Sequence, residues 1–199
     1  DEVDIYYLAS LSDRPVEIDA RFRVSGREAE IWRSDSGTIE PASYTIADGR
    51  TTVPLRMHAY ESLFVVFRKP ADVSTRSIPA PVETLLGSVA GPWEVAFAPN
   101  LGAPARVRFS QLASWTTHAD PGVKHFSGTA TYTTTFRAPS VNAKDTPRVF
   151  LDLGRVGDLA EVALNGRPLG ILWKPPYRVD VTAQLARGNN RLEIKVTNQ

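Results

Sequence analysis

Cysteine is absent from this chain of 199 residues. That one absence excludes disulfides, thiolate metal sites and thiol nucleophiles together. Folding therefore needs no oxidising compartment, although export remains open to such a chain. Histidine is scarce, with three residues in all, which leaves little material for a metal site or a proton relay. No apolar run approaches the roughly 20 residues of a membrane-crossing helix. No helical period extends beyond about two turns, and no internal repeat or low-complexity segment stands out. The net charge is only +1, so no strong field favours a nucleic acid or an anionic membrane surface. There is neither a Gly-x-Ser-x-Gly elbow nor a phosphate-binding loop.

What the chain has instead is short alternating runs punctuated by 15 prolines and 13 glycines. Ile5 to Ala9 reads as a first strand. Val16, Ile18, Ala20, Phe22 and Val24 alternate with charged residues, the pattern of a strand with one wet face. Glu28 to Arg33 follows, then a weaker strand around Tyr44 and Ile46 that ends in Asp48-Gly49. Thr52 to Met57 and the wholly apolar Leu63 to Phe67 come next, the latter predicted to be a central strand covered on both sides. Residues 71–81 hold prolines, serine and threonine without apolar period and read as a linker. The predicted division is a small β-sandwich over 1–70 and a larger one over 82–199.

The second part carries the clearest signals. Trp93 to Phe97 and Arg106 to Phe109 read as strands, with Trp93 in the core. Ala130, Tyr132, Thr134 and Phe136 alternate with threonines. Ala160, Val162 and Leu164 lead into Asn165-Gly166, whose tolerance of positive φ suits a type I′ hairpin turn. Leu192, Ile194 and Val196 close the pattern. Period two throughout, with turn signals between, predicts an all-β chain of two antiparallel β-sandwiches.

The second part also resembles a known family. Phe126-Ser127-Gly128-Thr129, Leu151-Asp152-Leu153-Gly154, Leu164-Asn165-Gly166, Trp173, Pro176-Tyr177, Asp180-Val181-Thr182 and Gly188-Asn189 occur in the order of the galactose-binding-like jelly roll called the sugar-binding domain of glycoside hydrolase family 2. More narrowly, the string is similar to the C-terminal region of bacterial α-L-rhamnosidases of glycoside hydrolase family 106. The likeness covers about the last 120 residues well. The first part matches less closely the sandwich that precedes that domain in the same enzymes. The resemblance implies a parent that removes terminal rhamnose and works in the periplasm or outside the cell. It also implies a catalytic barrel as partner, with rhamnose-containing glycans as a further candidate. No segment here resembles the strand ends of such a barrel, so no catalytic residue is assigned. The absence of an initiator Met and the end at Gln199 suggest a fragment or a processed product.

Sugars present apolar C–H faces that stack on aromatic rings and hydroxyls that need polar partners. The candidates for carbohydrate or interdomain contact are Trp115, His118 and Asp120, in the irregular stretch 110–125, and Trp173 and Tyr177, in a loop stiffened by Pro175 and Pro176. Asn165 is a further polar neighbour. His118, Asp120 and His125 make a thin case for a metal. No cofactor is expected; Asp152, Asp158 and Asp180 could offer oxygen ligands to a structural calcium, but form no recognisable loop motif. Three functional readings follow: a non-catalytic accessory region of a glycoside hydrolase, an autonomous carbohydrate-binding module, and a structural or adhesion protein of two sandwiches.

Overall fold

A computed structural model describes residues 3–139 and 148–198. Asp1, Glu2 and Gln199, on which the reading of the chain ends rests, lie outside them. The chain folds as two compact units, Asp1–Glu83 and Thr84–Gln199. Both are built of antiparallel strands.

The first unit has two four-stranded sheets. One joins β1 (Asp4–Ala9), β7 (Ser62–Pro70), β3 (Arg27–Arg33) and β4 (Ile39–Pro41) in that order; the other joins β2 (Val16–Phe22), β6 (Arg50–Met57), β5 (Tyr44–Ala47) and β8 (Thr75–Arg76). Leu63, Val65 and Phe67 from the first sheet and Phe22, Tyr44, Val53, Leu55 and Met57 from the second share one core. Burying each such side chain contributes about 1.5–3 kcal/mol. Strand β7 is central, as its apolar run predicts, and Val66 on its opposite face is buried too. Asp48 and Gly49, at φ 50° and 70°, form the expected β5–β6 turn. Ile18, expected inside, is 41% exposed.

The predicted linker over 71–81 requires correction. Within it, β8 pairs with β5. The Tyr44 hydroxyl donates to the Val73 carbonyl at 3.3 Å, and the Ile78 N–H donates to Ser43 Oγ at 2.9 Å. Arg76 is ion-paired with Glu28 and lies over the Tyr44 ring. The physical reason is the edge of β5, whose backbone groups need partners. Two residues suffice for that, too few to show as a period in sequence.

In the second unit a six-stranded sheet runs β10 (Arg106–Phe109), β9 (Trp93–Phe97), β11 (Gly128–Arg137), β16 (Asn189–Asn198), β13 (Leu159–Leu164), β14 (Arg167–Leu172). A two-stranded sheet pairs β12 (Phe150–Asp152) with β15 (Arg178–Asp180). The buried face is the predicted one: Trp93, Val95, Phe97, Ala130, Tyr132, Ala160, Val162, Leu164, Leu192 and Ile194. Leu151 and Val179, from the two-stranded sheet, pack against it. Asn165 and Gly166, at φ 54° and 77°, make the β13–β14 turn.

Candidate functional site

The stretch 110–125 folds onto its own unit. It contains a 3₁₀ turn, Trp115–Thr117, and a one-turn helix α1, Pro121–Lys124. Asp120 caps that helix: its Oδ1 accepts from the N–H groups of Gly122 and Val123 at 2.7 and 3.3 Å. This satisfies donors that a helix start leaves open, and Pro121 follows where a missing N–H costs nothing. His118 Nδ1 accepts from the Asp120 N–H at 3.1 Å, and its ring lies 5.2 Å from that of Phe109. His125 is exposed. Among the described residues no three His, Cys, Asp or Glu side chains gather as a metal site would require. Asp152 accepts from the Gly154 N–H, and Asp180 is held by Thr182 and Arg148.

Trp115 presents no ring to a ligand or a second domain, contrary to expectation. It is 9% exposed, and its Nε1 donates to the Tyr132 hydroxyl. Phe97 and Phe126 meet it edge-on at 5.8 and 5.4 Å. Trp115, Val123 and Phe126 join the core that the strands bury. Burial pushes the Tyr132 phenol up, against the opposing effect of the Trp115 hydrogen bond. Tyr177 is also corrected from ligand contact to anchor. It is buried, and its hydroxyl donates to the Asp158 carbonyl at 3.3 Å. Burial, and then the Asp158 charge, push its phenol up.

Trp173 differs from both. It is 62% exposed, with Lys174 Nζ 5.5 Å from its ring centroid. The loop that carries it is bounded by β14 on one side and the buried Tyr177 on the other. Of the aromatic candidates it is the one whose ring solvent can reach. Asn165 is engaged within the fold, donating to Asn190 Oδ1 and to the Gln184 carbonyl.

Glycoside hydrolysis needs a carboxyl held protonated near neutral pH, opposite a second carboxylate. The two carboxyls that stand apart here move the other way. Burial raises the pKa of Glu30, but hydrogen bonds from Arg68, Trp32 and Lys69 outweigh it and hold the group below the usual carboxylate range. Asp180 is likewise raised by burial and lowered further by Thr182 and Arg148. Neither is suited to donate a proton to a leaving group.

A second surface was missed in the sequence reading. The register of the β1-β7-β3-β4 sheet aligns Tyr7, Phe64, Trp32 and Ile39 in one row across all four strands. All four face away from the core, since Leu63 and Val65 face into it. Tyr7 is 61% exposed, Ile39 51%, and Ile5 in the neighbouring row 58%. Each strand contributes one unremarkable residue; only pairing register joins them.

Comparison with known proteins adds the following. Residues 1–46 match the family model described as alpha-L-rhamnosidase, that of glycoside hydrolase family 106. Residues 120–199 match the model described as glycosyl hydrolase 2 galactose-binding domain-like. A curated protein of Formosa agariphila named "Putative beta-glucuronidase" is 44% identical over 125 residues, which is 63% of this chain and 10% of that protein. The solved structure of a rhamnosidase from Novosphingobium sp. PP1Y superposes with a TM-score of 0.89 at 42% identity, over 98% of this chain and 18% of that one. The rhamnosidase family signal thus lies in the first unit, where the sequence likeness was the less close, and the galactose-binding-like signal in the second. The chain spans less than a fifth of either relative.

Proposed function

We propose that this chain, which joins an alpha-L-rhamnosidase family segment to a galactose-binding-like domain, is a non-catalytic accessory region of a glycoside hydrolase. Its work is mechanical: it packs on the catalytic domain of its parent polypeptide and steadies it. The parent's reaction is the release of terminal rhamnose, outside the cytoplasm. One observation carries the reading. Nearly the whole chain has a counterpart in a rhamnosidase, yet that counterpart is 18% of the enzyme. The test is turnover of nitrophenyl α-L-rhamnoside by the purified chain. No release above the uncatalysed rate is expected. Release at an enzymatic rate overturns the proposal.

A second reading, an autonomous carbohydrate-binding module, is favoured by Trp173, an aromatic ring displayed to solvent on a proline-bounded loop. Titration calorimetry with rhamnose, galactose and plant polysaccharides separates the two. Saturable heat that vanishes in Trp173→Ala, with folding intact, selects the binding module.

A further inference from the structure

We propose that Asn165 is a modification site closed by folding. While the second unit is folded, its side chain is held out of reaction. When the unit opens, Asn165 loses ammonia, becomes aspartate or isoaspartate, and no longer fits the native turn. The co-reactant is water. This inference is independent of what the parent enzyme acts on.

The sequence supplies the reactive pair. Asn165-Gly166 is the one Asn-Gly step in the 199 residues. The Gly166 nitrogen, once its proton has passed to hydroxide, attacks Asn165 Cγ. The bond from Cγ to Nδ2 breaks, and Nδ2 leaves as ammonia with a proton from water. Water then opens the cyclic imide at either of its carbonyls. One opening leaves aspartate; the other routes the backbone through Cγ and leaves isoaspartate. Glycine favours the attack because it has no side chain beside the nitrogen.

The fold holds the carboxamide away from that step. Nδ2 of Asn165 donates to Asn190 Oδ1 at 2.8 Å and to the Gln184 carbonyl at 3.0 Å, while Oδ1 accepts from the Arg191 N–H at 2.9 Å. The Asn165 N–H donates to the Arg191 carbonyl at 2.8 Å. Both ends of the carboxamide are thus engaged, and turning Cγ onto the Gly166 nitrogen breaks those bonds. Crowding is not the protection: Asn165 is exposed, and a Cβ at Gly166 would meet nothing within 4 Å.

The first unit holds a natural control. Asp48-Gly49 makes the same kind of two-residue turn, with φ 50° and 70° against 54° and 77° at Asn165-Gly166. Aspartate forms the same imide with loss of water. The Asp48 side chain makes no hydrogen bond among the described residues. The two turns share a backbone geometry and differ in the clamp.

Conversion spoils the contacts that held the residue. A carboxylate replaces the Nδ2 donor by an acceptor, facing Asn190 Oδ1 and the Gln184 carbonyl. Asn190 has no freedom to turn its amide over. Its Oδ1 also accepts from the Ala186 N–H, and its Nδ2 donates to the carbonyls of Ala186 and Gly188. Isoaspartate adds a backbone carbon to a turn whose length sets the register of its strands. Opening of this unit thereby becomes irreversible through a covalent change.

The experiment holds the 199-residue chain in mildly alkaline buffer, with and without guanidinium chloride. Peptide mapping with fragmentation follows aspartate and isoaspartate at Asn165 and isoaspartate at Asp48. The rate at Asn165 is expected to rise at least about tenfold on unfolding, since several hydrogen bonds must otherwise break first. The rise at Asp48 is expected to be smaller. Equal ratios at the two sites, or equal rates at Asn165 in both states, overturn the proposal. Denaturant is then diluted out, and the refolded fraction is expected to be depleted of chains converted at Asn165. Asn165→Asp, made directly, is expected to melt about 5 °C or more below the unaltered chain, or not to fold. Converted chains that refold in full proportion, or an Asn165→Asp chain that melts unchanged, also overturn it.

Discussion

The Asn165 side-chain amide donates to Asn190 Oδ1 at 2.8 Å, tying the β13–β14 turn to the start of β16. Asn190 is wholly buried, and its side chain makes four hydrogen bonds among the described residues. Its Oδ1 also accepts from the Ala186 N–H, and its Nδ2 donates to the carbonyls of Ala186 and Gly188. Only an amide offers two donors and an acceptor in that shape. Asn190→Ala is expected to cost about 3 kcal/mol, since several buried groups lose their partner at once. Asn190→Asp is expected to do no better, because it sets a carboxylate against two carbonyls. Denaturant unfolding of the two variants measures both losses.

The two candidate tryptophans should separate cleanly. Trp115→Ala is expected to lose about 3–5 kcal/mol, from the cavity and from the orphaned Tyr132 hydroxyl. Trp173→Ala is expected to stay within about 0.5 kcal/mol. Thermal melts of the pair make the comparison. Comparable losses would contradict the assignment of one ring to the core and the other to the surface.

Acid should weaken the first unit through Glu30. Its folded-state pKa lies below the ordinary value of 4.5. A depressed carboxyl contributes stability that is present above the unfolded value and lost as pH falls through the folded one. Stability is therefore expected to decline on the acid side of about pH 4.5, and Glu30→Gln to flatten that decline. Unfolding free energies measured against pH test it; an unchanged acid slope in the variant removes Glu30 as the cause.

Gly122 marks a close approach between α1 and the Gly102 loop. A Cβ there would stand 2.1 Å from the Gly102 carbonyl oxygen, with backbone on both sides of the clash. Gly122→Ala is expected to cost about 1–3 kcal/mol or more, as overpacking does. Gly87→Ala, where a Cβ meets nothing within 4 Å, is the control and is expected to be neutral. Circular-dichroism melts of both variants decide.

Much of the fold was legible because strand period and turn chemistry are local. Leu164-Asn165-Gly166 announced its hairpin through residues adjacent in sequence. The β8 pairing was hidden because two residues carry no period. The candidate sites fared differently. Polar and aromatic residues in a loop look alike in sequence whether they face out or in. Trp115 packs into the core beside Phe97 and Phe126, whereas Trp173 belongs to no buried cluster and is exposed.

The order of residues by itself determined an all-β chain, most of the faces that its strands bury, its tight turns and its likeness to the alpha-L-rhamnosidase and galactose-binding-like families. Each of these depends on neighbours a few positions apart. Tertiary structure alone decided which aromatics are displayed. Tyr7, Trp32, Phe64 and Ile39 lie far apart along the chain, and only antiparallel register brings them into one row. A surface is a property of pairing between strands, and pairing is settled by the whole core at once.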